Sequence, residues 1–210
     1  MIDLYTWGTP NGRKVSIMLE ELGLKYNTHS VDITKGQQHE PAFLKVSPNN
    51  RIPAIVDSDG PGGKPISVFE SGAILIYLAE KTKSGLLPGD PRKRTETLQW
   101  LMWQMGGVGP MFGQAHHFMY KPKEDVPYGK KRYHDETKRL YKVMNGRLGE
   151  AKYLAGNDYT IADIATYPWV QRYNRHEVDL NEFPNVKRWF DAISKRPAVE
   201  KGMQVPFYND

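Results

Sequence analysis

Apolar and polar positions alternate with two different periods along the first part of the chain. Ile2, Leu4 and Tyr5 mark a short strand over residues 2–7. Thr9-Pro10-Asn11-Gly12 is turn chemistry. Val15, Ile17, Met18, Leu19 and Leu22 then give a helical stripe, closed by Gly23. Residues 26–33 read as a second strand, so the opening segment is a βαβ-like unit. A short irregular helix follows over residues 40–46 and an apolar strand over 52–57. Asp59-Gly60-Pro61-Gly62-Gly63 makes a hairpin-type connection to a partner strand over 66–69. Residues 71–83 predict a helix with Ile74, Leu75, Tyr77 and Leu78 available for burial. The order is β-α-β-α-β-β-α.

The texture changes after residues 84–91, whose Gly, Pro and Asp suit a linker. A long helix is expected over 92–120, disturbed near Gly106-Gly107-Val108-Gly109-Pro110. Further helices are expected over 126–148, 160–173 and 186–195, with no strand-like alternation between them. The pattern predicts an α/β domain over residues 1–83 joined by that linker to an all-helical domain over 92–210.

Composition narrows the chemistry. A chain of 210 residues can bury a sizeable core without crosslinks, and this one has no cysteine. That excludes a disulfide framework, a thiolate metal site and a cysteine nucleophile. No apolar run reaches bilayer length, and the first residues do not read as a secretory signal, so a cytoplasmic protein is expected. The net charge of +5 owes much to Lys121, Lys123, Lys130, Lys131, Arg132, Lys138, Arg139 and Lys142. Glu124, Asp125, Asp135 and Glu136 are interspersed, which describes a solvated helix face rather than a nucleic-acid stripe.

Three segments carry candidate chemistry. Pro53 lacks an N–H and interrupts its strand; a cis bond there would turn the main chain of Ile52 outward for an extended ligand, whereas a trans bond would merely enter the strand. Ser71 opens a helix directly after a strand, where it can cap the helix or meet a carboxylate at the positive end of the dipole. Glu70 beside it suits an ammonium, so the pair fits an amino-acid head group. Thr9 and Asn11 offer donors to an anion, or a turn and helix cap. Gly106-Gly107-Val108-Gly109 is not a phosphate loop, because no Gly-Lys-Ser/Thr follows. His116-His117 lacks a third ligand, and no metal is expected. Trp103, Met111, Phe112, His116, Phe118 and Tyr128 are candidates for an apolar pocket or for core.

The order and spacing of Thr9-Pro10-Asn11-Gly12, Ser47-Pro48-Asn49-Asn50-Arg51-Ile52-Pro53-Ala54 and Glu70-Ser71-Gly72-Ala73-Ile74 resemble the glutathione transferase family. The resemblance spans nearly the whole chain and includes Tyr159-Thr160-Ile161-Ala162-Asp163, which is similar to the family's capping box in the helical domain. The first loop, the Ser47–Pro53 segment and Leu98-Gln99-Trp100-Leu101-Met102-Trp103-Gln104 look most like the bacterial Nu class. The resemblance implies an N-terminal thioredoxin-like domain, a C-terminal helical bundle, a homodimer, and glutathione-dependent disulfide reduction with weak conjugating or peroxidase activity.

It also implies roles for residues. Ile52, presented by a cis Pro53, would hold the cysteinyl backbone of glutathione. Glu70 and Ser71 would hold the γ-glutamyl head, and Gln38 and Arg51 would lie toward the glycyl end. Thr9 and Asn11 would approach the sulfur. Arg132 would reach a second glutathione, and Gln99 would enter from a partner subunit. Arg51 stands where relatives often have Lys, which keeps the charge. Tyr5 and Trp7 lie near the place of the catalytic Tyr of other classes, but the register of Thr9 and Asn11 matches the Nu loop. With no cysteine in the chain, the reacting thiolate would be that of glutathione, as co-substrate, attacking a small disulfide or electrophile. The rival reading is a non-catalytic glutathione-binding regulatory or interaction protein.

Overall fold

The computed structural model describes residues 1–120 and 122–206. They form two compact units, one of Met1–Ser84 with the segment that starts at Arg196, the other of Gly85–Lys195.

The first unit contains the β-α-β-α-β-β-α order read from the pattern: β1 (Ile2–Thr6), α1 (Pro10–Glu21), β2 (Tyr26–Ser30), α2 (Pro41–Leu44), β3 (Ala54–Asp57), β4 (Ile66–Phe69) and α3 (Ser71–Thr82). The four strands make one mixed sheet in the order β2-β1-β3-β4. β1 runs parallel to β2 and antiparallel to β3, with Leu4 opposite Thr28 and Ile55. Alternation explains the burial: Ile2, Leu4 and Thr6 are buried while Asp3 and Tyr5 are half-covered. Leu4, Ile17, Ile55, Ile74, Leu75 and Leu78 are fully buried and form the main core. On the other face of the sheet, Val31, Phe43 and Ala54 make a smaller cluster packed by Tyr5, Val46 and Ile52. That cluster anchors α2 and the loop carrying Ile52.

The elements begin where local chemistry puts them. α1 starts at Pro10, inside the expected turn, because Thr9 caps it and proline suits the first helical position. The Ile52–Pro53 bond is cis, and β3 starts at Ala54, so Ile52 stands outside the ladder. An additional helix, α9 (Pro197–Gly202), has no counterpart in the pattern reading and packs on α1. Ser16 Oγ donates to the Gly202 carbonyl at 2.6 Å, and Arg196 makes a two-pronged ion pair with Glu21 at 2.7 Å. The last described helix therefore belongs with the first 84 residues rather than with the helical unit.

The second unit contains α4 (Pro91–Trp103), α5 (Gly109–Met119), α6 (Pro127–Glu150), α7 (Ile161–Val170) and α8 (Pro184–Ser194). The helix expected over 92–120 is split by one wide π-helical stretch, Gln104–Val108. Pro110 lacks the N–H that would continue the regular ladder there. α7 is buried along its whole length and begins with a capping box of Thr160 and Asp163. Asp163 also accepts from Leu154 N at 3.0 Å and from Trp189 Nε1 at 2.8 Å. Burial pushes its carboxyl up, and the bonds from Leu154, Trp189 and Thr160 draw it back down. Phe112 stacks on Tyr141, and Tyr141 on Phe183, to fill the space between α5, α6 and α8.

Candidate functional site

The ends of β3, β4, α1 and α3 converge on a cleft of about 250 Å³ in the first unit, lined by Asn11, Ser47, Arg51, Ile52, Pro53, Phe69, Glu70 and Ser71. Six of the sequence-nominated residues are thus brought together: Asn11, Arg51, Ile52, Pro53, Glu70 and Ser71. Each is positioned by an identifiable local cause. Thr9 Oγ1 accepts from Gly12 N at 3.2 Å and caps α1, which places Asn11 in the helix's first turn. A Cβ on Gly12 would lie 2.3 Å from the Trp7 carbonyl and 2.4 Å from Thr6 Oγ1, so this close approach of helix to strand end requires glycine. Thr9 itself is half-buried beside the cleft's Asn11 but is not among its lining residues.

Ser47 is fully buried, and its hydroxyl donates to the Arg51 carbonyl at 2.8 Å. That bond closes the loop that delivers Arg51 and Ile52. The Arg51 side chain is exposed. Glu70 is exposed and adopts φ 71°, ψ 113°, a conformation that side-chain-bearing residues rarely hold. Such strain costs about 1–3 kcal/mol and is characteristic of ligand-clamping positions. Ser71 is buried at the start of α3, whose first amides and partial positive charge favour an anion. Gln38 lies in a short 3-10 turn, Gln37–His39, and its buried Oε1 has no hydrogen-bond partner among the described residues.

Sequence reasoning missed three residues of this site. Ser47 and Phe69 line the cleft, and Phe69 is an exposed aromatic at its rim. Lys14 is the third. It is 1% exposed, and its Nζ donates to Ser71 Oγ at 3.4 Å. Burial presses the Lys14 pKa down to about 7, against the opposing pull of the Glu70 carboxylate. Gln99 and Arg132 belong to the second unit. Gln99 is exposed on α4. Arg132, on α6, lines a separate cavity of about 660 Å³ with Met111, Tyr128, Lys131, Tyr133, Asp135, Glu136 and Arg139. Of the aromatic and Met candidates for an apolar pocket, Met111 and Tyr128 line this cavity, whereas Phe112 is core.

The cleft thus gathers a carboxylate, Glu70, a hydroxyl, Ser71, and the segment Arg51–Pro53 on one rim of this sheet. The chain belongs to the glutathione S-transferase family. Its residues 9–81 match the family's N-terminal domain and 108–197 its C-terminal domain. Among its relatives, Disulfide-bond oxidoreductase YfcG of Escherichia coli (strain K12) is 53% identical over 205 residues, covering 97% of this chain and 94% of that protein. A solved glutathione transferase family member from Pseudomonas fluorescens, with two glutathiones bound, superposes with a TM-score of 0.92 at 49% identity, covering 96% of this chain and 92% of that one. A glutathione transferase from Pseudomonas putida, with one glutathione disulfide bound per subunit, gives a TM-score of 0.93 at 46% identity, covering 98% and 91%.

Proposed function

We propose that this protein is a glutathione-dependent disulfide-bond reductase of the transferase family, reacting through the thiolate of bound glutathione. The observation that carries the reading is the gathering of Asn11, Arg51, Ile52, Pro53, Glu70 and Ser71 around one cleft in a chain without cysteine. The names of the E. coli relative and of the solved neighbours with glutathione or its disulfide support it.

Glutathione enters as a substrate. Ser71 and the amides at the start of α3 receive the γ-glutamyl carboxylate, and Glu70 receives its ammonium. The main chain of Ile52, held by Pro53, pairs with the cysteinyl backbone. Arg51 and Gln38 take the glycyl end. Donors on Thr9 and Asn11 stabilise the thiolate and so lower the pKa of the thiol. The thiolate attacks one sulfur of a small disulfide, which releases the other sulfur as a thiolate that takes up a proton. A second glutathione then attacks the mixed disulfide, giving glutathione disulfide and the second thiol. The net change is two glutathiones oxidised and one disulfide reduced. Arg132 serves the second glutathione, and Gln99 is contributed by the partner subunit of a homodimer that works in the cytoplasm. With a carbon electrophile the same thiolate performs conjugation.

The test is reduction of 2-hydroxyethyl disulfide by glutathione, with oxidised glutathione recycled by a reductase and followed by NADPH loss. A rate above the uncatalysed background is expected. A background rate together with measurable glutathione binding would leave the chain a non-catalytic glutathione-binding protein.

A further inference from the structure

Gln38 and Arg51, the residues nominated for the glycyl end, sit on different segments of the first unit. Gln38 belongs to the 3-10 turn Gln37–His39, and Arg51 to the loop between α2 and β3. A side-chain hydrogen bond ties these segments together across α2. Nδ2 of Asn50 stands 3.1 Å from Nδ1 of His39. An amide nitrogen can only donate, so Nδ1 of the neutral imidazole accepts and Nε2 carries the ring hydrogen. His39 directly follows Gln38, and Asn50 directly precedes Arg51.

Each segment is also anchored on its own side. Gln37 Oε1 accepts from Asp32 N at 2.7 Å, and Gln37 N donates to Asp32 O at 3.2 Å, which fastens the turn to the chain leaving β2. Ser47 Oγ donates to Arg51 O at 2.8 Å, and Asn50 N to Ser47 O at 3.0 Å, which closes the loop. Asn50 holds φ 48°, in the left-handed region that asparagine tolerates better than most side chains. From that turn its amide reaches His39. The bond between them therefore joins two pieces that are each already fixed to the unit.

Gln38 supplies a separate sign of a ligand. Its Oε1 is buried and accepts no hydrogen bond among the described residues. An acceptor hidden from water without a donor costs free energy, and a ligand N–H satisfies it. The guanidinium of Arg51, which lines the cleft, suits a carboxylate. A peptide N–H followed by a carboxylate is what a C-terminal glycyl residue offers.

We propose that His39 and Asn50 are a positioning pair for the glycyl end of the ligand. Their hydrogen bond sets the spacing between Gln38 and Arg51, and so gives the cleft a preference for the tripeptide over the dipeptide that lacks glycine. The proposal rests on the glutathione reading and names the residues behind that site's selectivity. Both side chains act through their neighbours in the chain rather than by touching the ligand. Without the bond, each segment would have to be ordered separately on binding, and preorganisation removes that cost.

The experiment is calorimetry on the full chain with S-methylglutathione and with γ-glutamyl-S-methylcysteine, which lacks the glycyl residue. Neither peptide has a thiol to react. The wild type is expected to bind the tripeptide about tenfold or more tightly than the dipeptide, the worth of a hydrogen bond to a charged group. His39→Ala and Asn50→Gly should each weaken the tripeptide about fivefold, the scale of one neutral hydrogen bond, and leave the dipeptide unchanged. Glycine keeps the left-handed backbone accessible, so Asn50→Gly reads the side chain alone. The double variant should bind no more weakly than either single variant, because both remove the same bond.

Equal weakening of tripeptide and dipeptide would show a general loosening of the unit and overturn the proposal. So would additive losses in the double variant, or single variants that bind the tripeptide as the wild type does. In each of these outcomes the glutathione reading stands. A wild type that binds both peptides alike overturns the glycyl-end assignment and the role of the pair with it. Failure of the wild type to bind S-methylglutathione overturns the glutathione reading itself.

Discussion

The hydroxyl of Thr9 accepts a hydrogen bond from the amide of Gly12 at 3.2 Å. The same oxygen therefore caps α1 with a lone pair and keeps a hydrogen to donate. The cap and the proposed role toward the glutathione sulfur are two halves of one group's bonding capacity.

Two substitutions test the hydroxyl as a whole. Thr9→Ser keeps both halves and should retain stability and turnover. Thr9→Ala removes both: loss of the cap costs about 1 kcal/mol of stability. Combined with Asn11→Ala, it should lower kcat for 2-hydroxyethyl disulfide reduction by roughly 10²-fold or more, since losing a single aimed donor already costs about that much. Chemical denaturation and steady-state rates check the two effects. An unchanged rate in the double variant would show that the thiolate is stabilised elsewhere.

In the proposed site Glu70 and Ser71 serve binding rather than the reacting sulfur. Glu70→Ala and Ser71→Ala should each raise KM for glutathione by about tenfold or more, the worth of a hydrogen bond to a charged group, with kcat little changed. A loss confined to kcat would place them at the chemistry instead.

Asp163 should matter for folding alone. Asp163→Ala leaves the Leu154 and Thr160 amides and the Trp189 indole N–H buried without their acceptor. Stability should drop by about 3 kcal/mol, as for other broken buried networks. Urea unfolding measures this, and KM for glutathione at a temperature where the variant is folded should match the wild type.

Gly202 reports on the packing of α9. A Cβ there would lie 2.5 Å from Ile17 Cα and 2.6 Å from its amide nitrogen. Gly202→Ala should destabilise by about 1–3 kcal/mol, the range for overpacking a tight contact. A melting temperature equal to the wild type would mean that α9 does not press on α1 as described.

Much of this molecule was legible because its signals are local. Thr160 with Asp163 announces a capping box, and the alternation of Ile2 and Leu4 a strand, although α1 begins at Pro10, inside the expected turn. Boundaries slipped where one residue's backbone chemistry outweighed the pattern. Pro53 delayed β3 to Ala54, whereas the disturbance expected near Gly106–Pro110 is there as the π-helical stretch Gln104–Val108. α9 carries too few residues to show a period, and its stability comes from what it touches.

The order of Thr9–Gly12, Ser47–Pro53 and Glu70–Ser71 and the absence of cysteine are properties of the sequence itself. They are enough to nominate a site for a thiol that the chain does not own. What the tertiary structure alone decided is which residues stand behind that site. Lys14 is a polar residue at the edge of an apolar stripe until α3, 57 positions away, covers it and brings Ser71 to its ammonium. The tail, 186 positions beyond Ser16, was assignable to the first unit only from its packing on α1. Local propensity acts within a turn or two of the chain, whereas burial, and with it the charge state of Lys14, depends on segments that the sequence separates and only folding brings together.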